Sequence, residues 1–87
     1  MEEKIFEQLR ELLAVTIGHN PEEITPASQL EIDLGINLEE DFARLLAIIN
    51  HEFGIELEAG HVLHELEEAQ DSVEQLAKLI EEEVELG

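Results

Sequence analysis

The stretch Pro21-Glu22-Glu23-Ile24-Thr25-Pro26-Ala27-Ser28-Gln29-Leu30-Glu31-Ile32-Asp33-Leu34-Gly35 decides how the rest of the chain is read. Pro21, Pro26 and Gly35 forbid a continuous helix across it. Few β-branched residues alternate there, so it is not a strand either. It belongs to a long loop over residues 18–36. That loop is not polar throughout. Ile24, Leu30, Ile32 and Leu34 are together too apolar to lie exposed, so the loop is expected to pack across neighbouring helices. Ser28 reads as a turn or cap hydroxyl.

Working outward, both flanks take helical spacing. Over residues 2–17, Ile5, Leu9, Leu12, Leu13 and Ile17 follow one buried face, widened by Phe6. Gly18 is a natural stop and Pro21 confirms the break. Over residues 38–53, Phe42, Leu45, Leu46, Ile49 and Phe53 form the next stripe, with Leu38 four residues ahead of Phe42. Asn37 is the expected N-cap, with Glu40 completing a capping box. Glu39, Glu40 and Asp41 suit the positive end of that helix dipole. Gly54 ends it, and Ile55 and Leu57 carry the core onward.

Residues 59–68 predict a short helix with Val62, Leu63 and Leu66 inward. Asp71 or Ser72 then caps a last helix bearing Val73, Leu76, Leu79, Ile80 and Val84, and Ser72 with Gln75 matches a capping box. No segment alternates at period two, so no sheet is expected. The fold class is all-α: a four-helix bundle of three longer helices and one short one, with a long loop between the first two. Eighty-seven residues read as a single domain spanning 1–87. A chain of this length buries only about 60–65% of its unfolded surface.

Asp33-Leu34-Gly35, the loop before it, and Phe53-Gly54-Ile55-Glu56-Leu57 resemble an acyl carrier protein. With the order helix, long loop, helix, short helix, helix, the resemblance covers nearly the whole chain. It implies the carrier fold. In that family Asp-Leu-Gly leads into Asp-Ser-Leu, whose serine holds the phosphopantetheine arm. Here Ile36-Asn37-Leu38-Glu39-Glu40-Asp41 follows, and no hydroxyl or thiol side chain lies between Gly35 and Glu67. Ungapped alignment from Asp33 puts Leu38 at the serine position; alignment backward from Phe53 puts Glu39 there. A phosphodiester link needs a hydroxyl, so no phosphopantetheine is expected on either. Asp71-Ser72-Val73 imitates the missing triplet. No Asp-Leu-Gly precedes it, however, and Ser72 is better read as an N-cap.

The resemblance also implies a docking face. The family's second helix presents acidic residues to basic enzyme patches. Here the start and outer side of that helix carry Glu39, Glu40, Asp41, Arg44, Ala47, Ile48 and His51. Ile48 lies partly off the buried stripe and offers apolar contact. Arg44 puts a positive charge in the middle of the face. Either it alters the set of partners, or it merely pairs with Glu40 or Asp41 one turn away. The segment between Leu57 and Val73, which lines the acyl-chain mouth in the family, is several residues longer than usual.

Charge bounds the partners. Twenty-three acids stand against four Lys and Arg, a net charge of -19. Nucleic acid is excluded as a direct partner, since phosphate binding needs clustered cations. An anionic membrane surface is disfavoured, and no apolar run approaches the roughly 20 residues of a spanning helix. Proteins with basic patches are favoured, with salt-dependent encounter. The chain has no cysteine, which removes disulfides, thiolate metal sites and cysteine nucleophiles. Met1-Glu2-Glu3-Lys4 is no signal peptide, so a cytoplasmic location is expected, and a monomer.

Chemistry finds little support. His61 and His64 sit at i, i+3, but a metal site needs three or four convergent ligands. His19 and His51 are isolated. Glu65, Glu67 and Glu68, and Glu81, Glu82, Glu83 and Glu85, read as diffuse charge without EF-hand spacing. No metal site is expected. No nucleophile–base pair and no glycine-rich phosphate loop is present, so the chain is read as a non-enzyme. The expected function is a carrier-like interaction protein that binds partner enzymes through its second helix. The alternative is a working or non-covalent acyl carrier in fatty acid, lipid or polyketide biosynthesis. In a non-covalent carrier Leu38, Phe42, Leu46, Ile49 and Leu63 would line the cavity instead of simply packing the core.

Overall fold

The computed structural model describes residues 3–86. Its helices are α1 (Glu3–Ile17), α2 (Phe42–Phe53), α3 (Ala59–Glu68) and α4 (Val73–Leu86), with a 3-10 turn at Pro21–Glu23. There is no strand among the described residues; an isolated antiparallel bridge joins Gln29 to Ser72. The molecule is a small four-helix bundle. Glu2, where the sequence reading starts the first helix, and Met1 lie outside the described residues.

The periodic stripes meet in one core. From α1 come Ile5, Phe6, Leu9, Leu13 and Ala14, with Leu12 and Ile17 half-buried at its edge. From α2 come Phe42, Leu45, Leu46 and Ile49, from α3 Val62 and Leu66, and from α4 Val73, Leu76, Ala77, Leu79 and Ile80. Val84 departs from the expectation. At 39% exposed it lies, with Leu86, in the last turn of α4, past the end of the buried stripe.

The connecting loop packs over the bundle, and its local geometry decides which apolar residues turn inward. Asn20 Oδ1 accepts the Glu22 N–H, which caps the 3-10 turn with Pro21 at its first position. Ile24, Leu30, Leu34 and Ile36 are buried. Ile32 is 75% exposed, which corrects the expectation that it packs inward. The cause is a helix-like turn: the Asp33 and Leu34 N–H groups both reach Gln29 O, and the Gly35 N–H reaches Glu31 O. Residues four apart then share a side, so Leu30 and Leu34 face the core while Ile32 points away. Gly35 leaves this turn at φ 70, a left-handed conformation that favours glycine.

The loop is also tied to α4. The Leu30 N–H donates to Asp71 O at 2.7 Å, Val73 to Ser28 O at 2.9 Å and Glu74 to Pro26 O at 3.0 Å. The last two satisfy amides at the start of α4 that have no partner within the helix. Ser72 Oγ takes a further one, from the Gln75 N–H at 3.1 Å, so Ser72 is the capping hydroxyl of α4.

α2 begins later than the periodicity predicts. Residues 38–41 form a hydrogen-bonded turn, and the regular helix starts at Phe42. Asn37 caps as expected, but it caps the turn: its Oδ1 accepts the N–H groups of Glu39 at 2.9 Å and Glu40 at 3.0 Å. Asp41, with φ -103, is the N-cap of α2: its N–H reaches Asn37 O at 2.8 Å and its carbonyl accepts the Leu45 N–H at 3.0 Å. Glu39 and Glu40 therefore precede the helix and do not occupy its first turn. Buried Ile36 and Phe42 hold the two ends of this segment, and Leu38 is half-buried between them.

Candidate docking face on α2 and its flanking groove

The sequence-predicted face is assembled from two rows. Ala47 and His51 are exposed on the outer side of α2, and Glu40 is exposed in the turn that precedes it. Asp41, Arg44 and Ile48 form the second row, at helical spacing of three and four. They line a groove of about 350 Å³ between α2, the end of α1 and the loop at Leu34–Ile36. Glu39 stands apart from that groove. It lines a shallow depression of about 420 Å³ with Glu31, Gly35, Ile36 and Asn37.

Arg44 makes no ion pair among the described residues, so the simple pairing with Glu40 or Asp41 is not formed. Arg44 is exposed and shares the groove with Asp41. Ile48 is half-buried at the groove, which matches its position off the core stripe. Thr16 and Ile17 of α1, and Leu34 and Ile36 of the loop, complete the groove. Sequence reasoning did not assign these four to any site. Ile17 and Leu34 read as core and Ile36 has no assigned role, and only the tertiary packing brings the end of α1 beside α2.

The position that the resemblance assigns to a prosthetic group carries no hydroxyl in space either. The hydroxyl side chains of the chain are Thr16, Thr25, Ser28 and Ser72. Thr16 Oγ1 donates to Leu12 O at 2.7 Å. Ser28 is 7% exposed, and its Oγ accepts the Thr25 N–H at 2.9 Å and lies 3.2 Å from Thr25 Oγ1. Ser72 is 8% exposed and engaged in its cap. Leu38 lines a third groove of about 350 Å³ with Ile32, Leu66 and Ala69.

Of the five residues named for a non-covalent acyl cavity, Leu38 lines the third groove and the other four lie in or against the core. Phe42, Leu46 and Ile49 are fully buried in the core, and Leu63 is half-buried against it. None of these four lines any of the three grooves described.

His61 and His64 are both exposed on α3, and His64 Nε2 lies 3.1 Å from Glu68 Oε1. His19 Nδ1 lies 3.3 Å from Glu23 Oε2. Among the described residues no three His, Asp or Glu side chains converge as metal ligands would. No described helix is long and apolar enough to cross a membrane. Comparison with family models and with curated proteins finds no match for the chain.

Proposed function

We propose that this chain is an acyl-carrier-like interaction protein that docks basic enzyme surfaces through α2 and carries no phosphopantetheine. The observation that supports this reading most is the pairing of two features at one end of α2. Exposed Glu39, Glu40 and Asp41 form an acidic lead into the helix, and the residues there offer no attachment hydroxyl. Ala47 and His51 extend the exposed face, Arg44 sits at its centre and Ile48 at its edge. Such a surface attracts a basic partner without supplying a group to modify.

A phosphopantetheinyl transferase with a basic carrier-binding patch serves as a defined probe. Incubated with this protein and coenzyme A, the transferase should add no mass to it. The same protein should slow transfer to a genuine carrier, and added salt should relieve the inhibition. Glu40→Lys should weaken inhibition and Arg44→Glu should strengthen it, each by about two- to fivefold, the range of exposed charge contacts. A mass gain equal to one arm would defeat the reading. So would inhibition indifferent to both substitutions.

A further inference from the structure

The groove beside α2 is lined by two opposite charges, Asp41 and Arg44, that form no ion pair among the described residues. Asp41 occupies the N-cap position of α2, yet its side chain makes no cap hydrogen bond. Arg44, three residues on, makes no ion pair with it among the described residues. Opposite charges at this spacing on a helix commonly pair. Here both line the groove instead, over apolar walls supplied by Ile17, Leu34, Ile36, Leu45 and Ile48.

We propose that this groove binds a small zwitterion with an aliphatic tail, the chemistry of a free aliphatic α-amino acid. The ligand's ammonium meets Asp41, its carboxylate meets the Arg44 guanidinium, and its tail covers the apolar walls. Three considerations select that class. The volume of about 350 Å³ lies at the small end of ligand pockets, roughly 300–1,000 Å³. The planar guanidinium presents paired donors that fit a carboxylate. The net charge of -19 then discriminates among candidates. It repels a simple anion, and it attracts a simple cation to every acidic patch alike. A ligand of zero net charge is indifferent to that field and is selected by the local pair. This inference goes beyond the docking reading and does not rest on it, although both use Asp41, Arg44 and Ile48.

The test is a titration of the isotope-labelled full chain followed by amide and methyl NMR. Four probes are compared: L-leucine, isocaproate (which lacks the ammonium), isoamylamine (which lacks the carboxylate) and glycine (which lacks the tail). L-leucine should give saturable shifts centred on Ile17, Leu34, Ile36, Leu45 and Ile48. Isocaproate and isoamylamine should each bind about two- to fivefold more weakly, as exposed charge contacts allow, and glycine should bind more weakly for want of the apolar contact. Asp41→Asn should erase the preference for leucine over isocaproate, and Arg44→Gln the preference over isoamylamine. Ile49 methyl shifts report whether each variant keeps its core, and the probe comparison on the unaltered chain stands without the variants. Shifts that never saturate, that centre elsewhere, or that are equal for all four probes would overturn the proposal. Because the readout involves no partner enzyme, its failure leaves the docking reading intact, and the reverse holds.

Discussion

Asn50 does more than its place in the α2 pattern suggests. Its Nδ2 donates to Leu57 O and its Oδ1 accepts the Leu57 N–H, both at 3.0 Å. One side chain thus satisfies both backbone groups of a half-buried residue in the connection to α3. Gly54, at φ 66, reverses the chain between them, and the Ile55 N–H returns to Asn50 O. Removing the side chain leaves a donor and an acceptor short of partners, which costs about 1–3 kcal/mol for a buried group. Asn50→Ala is therefore expected to lower stability by about that amount in urea denaturation with an unchanged m-value. A loss near zero would mean that water replaces the amide without penalty. The pair was not legible in advance, because Asn50 and Leu57 carry no motif; the left-handed turn at Gly54 brings them together.

At the scale of elements, the loop and α4 are mutually dependent. Leu30, Val73 and Glu74 place their amides on carbonyls of the opposite segment, and Gln29 bridges Ser72. Glu31 N–H also reaches Asp71 Oδ2 at 3.2 Å. Ser72 caps α4 within this arrangement. Ser72→Ala should reduce stability by about 1 kcal/mol, the usual value of an N-cap, while Ser72→Thr keeps most of it. Hydrogen exchange adds a sharper readout: the Leu30 and Val73 amides should exchange faster in Ser72→Ala, with the Leu46 amide in α2 following only the global change. Equal acceleration at all sites would show that the latch is not a separate unit. The cap of α4 was legible from Ser72 and Gln75, whereas the loop segment that shares it was not.

For the molecule as a whole, charge and size set the scale. The principal extents are 30 × 26 × 22 Å, and the net charge is -19. At about 0.01 M salt the Debye length is about 30 Å, so every carboxylate feels every other; at about 0.15 M it is about 8 Å. Self-repulsion destabilises the compact state. Relieving about 1 kcal/mol of it corresponds to about 4–8 °C for a domain of this size. The melting temperature is expected to rise by that order between these salt concentrations. An unchanged melting curve would mean that the acids are already spaced beyond mutual influence.

The four helices and their buried stripes were determined by the sequence itself. Phe42, Leu45, Leu46 and Ile49, or Ile5, Leu9 and Leu13, repeat at a period that only a helix can turn to one side. Glycine and proline mark the ends for equally local reasons, and the acidic, exposed character of Glu39 to Asp41 was legible in the same way. Tertiary structure alone decided the rest. It turned Ile32 out, because a helix-like turn in the loop puts Leu30 and Leu34 on one side and Ile32 on the other. It delayed α2 to Phe42 and, among the described residues, left Asp41 and Arg44 without an ion pair over a groove walled by α1 and the loop. Those outcomes depend on which segments meet across the bundle, and local periodicity carries no record of distant neighbours.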